Sequence, residues 1–324
     1  MKPLSDYSAF IEKEIRDMSL PSGDMEGLYG PVTYSMSAGG KRLRPALALM
    51  TAEAFGGEQA FELARPAALG LELFHNFTLL HDDVMDNSDL RRGRKSVHAK
   101  WDVNTAILSG DTMLTLATQQ ICMVPENILL PVITNFNDMA LRVYEGQRLD
   151  MDFENKEEVT LADYIRMISL KTGSLLGASA CIGSLVGGAS QDDCQHMAEF
   201  GLNLGIAFQI QDDWLDVFGD ASTFGKPIGG DINNNKKSFL LLSAYEKSGP
   251  DAEALRQAMK LPAGDSKIKI VTRLYDRMGI SAICRDAISS YSAKAAAALK
   301  ATSLGDEARE PFRKMVDKLT GRKK

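Results

Sequence analysis

Apolar positions recur along this chain at three- and four-residue intervals, the period of a helix, and no alternating run of useful length predicts a strand. A first helix is expected over Ser8–Met18, followed by a linker holding Pro21 and Gly23. Another starts at Pro45, runs through ALALMTAEAF and stops at Gly56-Gly57, because glycine tolerates the left-handed turn that ends helices. Apolar residues Leu63–Leu73 lead into a helix over His75–Asp86. Asn104 is the expected cap of a helix through Leu116, and helices follow over Pro131–Glu154 and Phe200–Phe218. Thr160 and Asp163 have the spacing of a capping box. They start a helix in which Lys171-Thr172-Gly173 interrupts an apolar stretch of sequence. Ser238–Lys324 reads as further helices without concentrated chemistry. The pattern predicts an all-α fold, and with no Pro/Gly/Ser-rich linker dividing it, a single-domain helical bundle over 1–324.

Bulk properties narrow the partners. A net charge of −6 over 324 residues gives no general basic surface for nucleic acid or a membrane. The cations instead cluster beside glycines, which suits small anions. Leu175–Ser190 is apolar, but too short and too rich in small residues for a membrane span. Its glycines and alanines predict close helix packing. The start, MKPLSDYSAFIEKEI, has no signal-peptide core. Cys122, Cys181, Cys194 and Cys284 show no CxxC spacing and are expected as buried free thiols in a reducing cytoplasm. His98 and His196 are expected at the surface, while His81, beside Asp82, is either structural or a support for the aspartate.

The chemistry concentrates in HNFTLLHDDVMDNSDLRRG. Asp82 and Asp86 lie one helical turn apart, with His75 two turns before them. Carboxylates at i and i+4 repel, so a cation should sit against them. FQIQDDWLD repeats the spacing at Asp212 and Asp216. One such motif is more often a solvated helix end than a metal site. Two copies after apolar helices, each near separate basic residues, favour a hard cation such as Mg²⁺, which combines a few carboxylates with substrate phosphates. Gly39-Gly40-Lys41-Arg42-Leu43-Arg44-Pro45 adds three cations at a helix N-terminus, an anion site by its free N–H groups and dipole. The proline disfavours helical geometry at Arg44 and fits the first turn of the helix. Phe218–Lys237, polar and glycine-rich, has the character of an active-site lid.

These motifs together, GGKRLRP, LLHDDVMDNSDLRRG, GDTML, KTGSLL, FQIQDDWLD and GKPIGGD, resemble the trans-type polyprenyl diphosphate synthase family of farnesyl and geranylgeranyl diphosphate synthases, over nearly the whole chain and in order. The resemblance implies a prenyltransferase-type bundle with a large central cavity and usually a homodimer. It implies condensation of isopentenyl diphosphate with an allylic diphosphate by ionisation, condensation and elimination, with about three Mg²⁺ ions on the leaving diphosphate. Asp82, Asp86 and Asp212 would hold metal, supported by Asp83, Asp213 and Asp216. Lys41, Arg44, His75 and Arg92 would bind isopentenyl diphosphate. Arg91, Lys171, Gln209, Lys226 and Lys236 would bind the allylic diphosphate, with Thr172 stabilising the carbocation or accepting its proton towards diphosphate. The family often has glycine where this chain has Asn235, which puts the closing of the lid in question.

Product length is assigned by the same resemblance to the residue five before Asp82, Phe77, about 7.5 Å down the helix. Its ring would stop the growing chain at C15 or C20. An ideal helical wheel puts Thr78 nearer the Asp82 face, and Phe77 as ordinary core is the plain alternative. A longer-chain synthase is the runner-up. A terpene cyclase would not need the GGKRLRP site, and a non-catalytic subunit would be expected to lose acidic ligands.

Overall fold

The computed structural model describes residues 1–219 and 228–321, which form two compact units. Apart from one two-residue hairpin the described residues hold only helices and their connections, the all-α architecture expected from the periodicity.

The first unit comprises Met1–Asp138, Ala178–Gln195 and Ser303–Pro311. Here α1 (Leu4–Asp17) packs on α3 (Leu43–Met85), which also meets α5 (Val103–Ile121) along an extensive interface. Gly57, at φ 68° and ψ −158°, breaks α3 where the sequence placed a helix stop. Leu47, Leu49, Met50, Leu71, Leu73 and Phe74 are fully buried along it. Gly183 of α8 (Ser174–Val186) and Gly187, just past its end, let that helix lie directly on α3. A Cβ at Gly183 would stand 2.3 Å from the Ala48 carbonyl oxygen, and one at Gly187 would stand 2.8 Å from the Phe55 side chain.

Several local expectations need correction. The segment after Pro21 contains α2 (Glu26–Met36), hidden in the sequence by Gly27, Gly30 and Pro31. Arg44 is helical despite the following proline, because α3 starts at Leu43 and Pro45 falls among first-turn positions whose N–H groups have no helical partner. The cap is Arg42, in the left-handed region at φ 47°. Asp102 rather than Asn104 caps α5, accepting from Thr105 N at 2.8 Å. The helix expected from Pro131 begins earlier, as α6 (Glu126–Asn155). Cys122 is exposed, although all four cysteines are free. His98 and His196 are half-buried, each with one ring nitrogen shut away from solvent.

The second unit comprises Met139–Gly177, His196–Thr302 and Phe312–Lys324. Thr160 and Asp163 cap α7 (Leu161–Ile168) reciprocally, as expected. Residues Ser169–Gly173 form one π turn, a change of helical geometry that the polar Lys171-Thr172-Gly173 did not by itself predict. A Cβ at Gly146 of α6 would meet Lys171 N at 2.3 Å, so that glycine lets α6 approach the turn. Helix α9 (Gln191–Phe218) brings Ile210 and Trp214 into a core with Tyr164. After the single turn α10 (Gly230–Asn233), α11 (Phe239–Tyr245), α12 (Pro250–Met259), α13 (Asp265–Arg277) and α14 (Ile280–Ala301) add Leu240, Leu255, Val271 and Cys284.

Candidate active site

In the first unit, α3 carries the acidic motif to its C-terminal end. Asp82 is half-buried, Asp83 buried and Asp86 exposed at the C-cap. A protein cation, Arg91, also engages this motif, chiefly at its second aspartate. Its Nε and Nη2 donate to Asp83 Oδ1 at 2.9 and 2.5 Å, and Nη2 lies 3.9 Å from Asp82 Oδ2. Burial raises the Asp83 pKa and the Arg91 pair opposes that shift. Arg91 is aimed by an antiparallel hairpin, Leu90–Arg91 against Arg94–Lys95, whose two turn residues Arg92 and Gly93 both have positive φ (52° and 74°), as a two-residue hairpin loop requires.

The basic turn of GGKRLRP folds around Arg42, a residue the motif contains but whose role the sequence did not disclose. Its buried guanidinium donates to Glu12 at 2.8 Å, Glu72 at 2.5 Å and the Met36 carbonyl at 2.7 Å. That three-way anchor fixes the exposed Lys41 and half-buried Arg44 on either side of it. Arg44 Nη1 reaches His75 Nε2 at 3.1 Å. Arginine only donates, so Nε2 accepts and the imidazole is neutral. Burial, followed by Arg44, Arg92, Arg42 and Arg91, holds the His75 pKa well below its usual value. Arg92 donates to the Gly39 carbonyl. Its guanidinium lies 3.0 Å from where a Gly40 Cβ would stand, so that glycine makes room for it. Arg44 and Arg92 thus share the neighbourhood of His75, and Lys41 adjoins their anchor Arg42 in the chain. A solvent-open cleft of about 380 Å³ beside it is lined by Arg91, Arg92, Arg94 and Lys95 together with Asp83 and Tyr34.

Phe77 is buried at 6 % exposure, stacked between Phe74 (centroids 5.6 Å apart) and His81 (4.8 Å). Thr78 is half-buried and donates to the His75 carbonyl at 2.8 Å.

In the second unit the acidic motif lies at the end of α9. Asp212 is half-buried, whereas Asp213 and Asp216 are buried. Asp213 accepts from Tyr164 Oη at 2.6 Å, Phe239 N at 3.0 Å and Gln209 Nε2 at 3.2 Å. Thr172 Oγ1 donates to Gln209 Oε1 at 3.2 Å, which ties the π turn to the motif. Lys171 Nζ bonds Asp150 Oδ2 at 2.6 Å. Asp216 Oδ2 accepts from Asp231 N at 3.0 Å. Burial, then the charge of Asp231, pushes the Asp216 pKa up to about 6. Lys236 Nζ stands 3.7 Å from Asp231 Oδ1. Against the desolvation of its surroundings, Asp231, Asp213, Asp150 and Asp216 raise its pKa, so it stays charged. Lys226 lies outside the described residues. Sequence reading missed Tyr164, Asp150 and Asp231 as members of this network. Asp231 ends the GKPIGGD motif, so proximity to the basic run was a usable signal. Nothing local marked the other two.

Each acidic motif therefore has its second aspartate engaged by protein donors. The carboxylate oxygens suit a hard cation. Among the described residues no three metal-binding side chains converge on a closed cage, and Mg²⁺ needs none, since water and substrate phosphate complete its shell. The crowding of Asp216 with Asp231 is repulsion that a divalent cation would relieve.

Residues 25–278 match the family model described as polyprenyl synthetase. The chain belongs to that family. It is a prenyltransferase of the short-chain prenyl diphosphate synthase type, with the all-α isoprenoid synthase fold. It is 39% identical over 246 residues to a geranylgeranyl diphosphate synthase of Methanosarcina mazei, covering 75% of each chain. A geranylfarnesyl diphosphate synthase of Aeropyrum pernix is 40% identical over 227 residues, 68% of this chain and 71% of that one. A crystal structure of a geranylgeranyl pyrophosphate synthase superposes with a TM-score of 0.94 at 39% identity, covering 100% of both chains.

Proposed function

We propose that the protein condenses isopentenyl diphosphate with dimethylallyl, geranyl or farnesyl diphosphate and releases mainly geranylgeranyl diphosphate. The observation that carries this is the layout of α3, which holds two different anion devices on one helix. Arg44 with the neutral His75 offers a cation and no carboxylate, whereas Asp82 and Asp86, seven or more residues beyond His75 and so about 10 Å from it, offer metal ligands. The first suits a diphosphate that is bound and kept, the second one that leaves.

In this reading Lys41, Arg44, His75 and Arg92 hold isopentenyl diphosphate. Asp82 and Asp86, and Asp212 with Asp216, are the Mg²⁺ ligands. Mg²⁺ supplies charge stabilisation for the departing diphosphate. Asp83 and Asp213 instead keep Arg91 and Gln209 in place. Arg91, Lys171, Gln209 and Lys236 bind the allylic diphosphate. The allylic C–O bond breaks with its electron pair on diphosphate, the isopentenyl double bond attacks the cation, and the proton then lost goes to the released diphosphate. Thr172 sits beside Gln209 to stabilise the cation. Phe77 closes the pocket for the growing chain. We place the enzyme in the cytoplasm as a homodimer. Val103, Ile107 and Leu108, exposed apolar residues of α5, support a second copy as the partner. No helix among the described residues is long and apolar enough to cross a membrane.

Diphosphate release should require Mg²⁺ together with both substrates, and Asp82→Ala and Asp212→Ala should each cut turnover about 100- to 1000-fold while circular dichroism stays unchanged. Near-normal rates in either variant contradict the metal assignment.

A further inference from the structure

We infer that His81 is a positioning residue for product length, holding the Phe77 ring in place from α5. The inference rests on the reading of Phe77 as the floor of the chain pocket.

His81 follows Phe77 by four residues on α3, so the two share a face. Their rings meet edge to face, 4.8 Å apart and inclined at 68°. On its far side the imidazole is pinned. Nε2 lies 3.1 Å from the carbonyl oxygen of Ile107, which only accepts, so Nε2 carries the proton and the tautomer is fixed. Asp111 Oδ1 stands 3.9 Å from the same nitrogen. Gly110 explains how the ring fits. It occupies the interior of α5, where glycine is less favourable than alanine, and its φ is not among the positive ones. A Cβ there would stand 2.2 Å from His81 Nε2 and 2.5 Å from Cδ2. Glycine is thus required for space, and the space is filled by this one ring. Phe74 also packs against Phe77 and is itself packed on Phe136, with centroids 5.3 Å apart. The floor is a row of four rings, and His81 is the member whose position a hydrogen bond sets.

The experiment is the product distribution from isopentenyl diphosphate, Mg²⁺ and farnesyl diphosphate. It compares the wild-type protein with Phe77→Ala, His81→Leu, Gly110→Ala and Phe77→Ala/His81→Leu. The quantity read is the ratio of products longer than C20 to C20, which is independent of overall rate. The expectation is that His81→Leu and Gly110→Ala each raise the ratio about five- to tenfold, and that the double variant matches Phe77→Ala alone. If Phe77→Ala lengthens products while His81→Leu and Gly110→Ala leave them at wild type, the floor reading stands and this inference fails. Additive lengthening in the double variant also overturns it, because His81 would then act apart from Phe77. If Phe77→Ala itself leaves the products unchanged, the floor reading fails first. His81→Phe, which keeps a ring without the hydrogen bond, should fall between wild type and His81→Leu, and it carries the test if the leucine variant does not fold.

Discussion

His75 shows how far a single residue is governed by its surroundings. Burial, reinforced by the charges of Arg44, Arg92, Arg42 and Arg91, keeps it neutral where free histidine titrates. The consequence for stability has a definite sign. Below about pH 6.5 the unfolded chain binds a proton that the native imidazole refuses, so stability falls as pH drops, by at most about 1.4 kcal/mol per unit. Urea titrations between pH 7 and 5 should show this slope, and His75→Gln should flatten it. An unchanged slope in the variant would mean that other groups carry the dependence. The same limit of local information applies to the aspartates. The i, i+4 spacing marks Asp82 with Asp86 and Asp212 with Asp216 from sequence alone, because helical geometry fixes it. It does not reveal that Asp213 is engaged by Tyr164, 49 residues away, or that Asp83 is held by Arg91. Those partners exist only once the helices pack.

Among the elements, the long periodic ones were legible: the break of α3 at Gly57, the capping box of α7, and the small-residue packing of α8. Failures occurred where local chemistry had competitors. Asp102 and Asn104 are both good caps, and only the structure chooses Asp102. Helix α2 contains a proline and two glycines and forms nonetheless because Val32 and Met36 are buried. The Asn run after α10 reads in sequence as a departure that puts the lid in question, and in the structure as a fastening. Asn235 takes φ 53°, where glycine or asparagine is tolerated. Its Oδ1 accepts from the buried Lys267 Nζ at 2.7 Å, while Asn233 Oδ1 accepts from Gly264 N at 2.9 Å. Both bonds tie the segment carrying Lys236 to the start of α13. Asn235→Gly keeps the backbone but removes the acceptor of a buried ammonium. It should cost about 1–3 kcal/mol in chemical denaturation and raise the KM for the allylic substrate. Equal stability would show that the bond to Lys267 contributes nothing.

For the molecule as a whole, the ordered series of basic and acidic motifs was enough to indicate the family, because each motif is a short segment whose chemistry its own residues supply. Product length was not legible in the same way. In the proposed reading it depends on a packed row of rings drawn from two helices, α3 and α6, and relatives named for C20 and for C25 products match this chain at 39% and 40% identity. Sequence likeness alone does not separate them; the proposal for the shorter product rests on reading the buried Phe77, packed against Phe74 and His81, as the floor of the chain pocket. The most direct measurement is chain-length analysis of products formed with isopentenyl diphosphate, Mg²⁺ and each of the C5, C10 and C15 primers. The account predicts that all three primers are extended and that growth ends at C20. Products running beyond C25 from the wild-type protein would contradict it, leaving Phe77 as ordinary core packing.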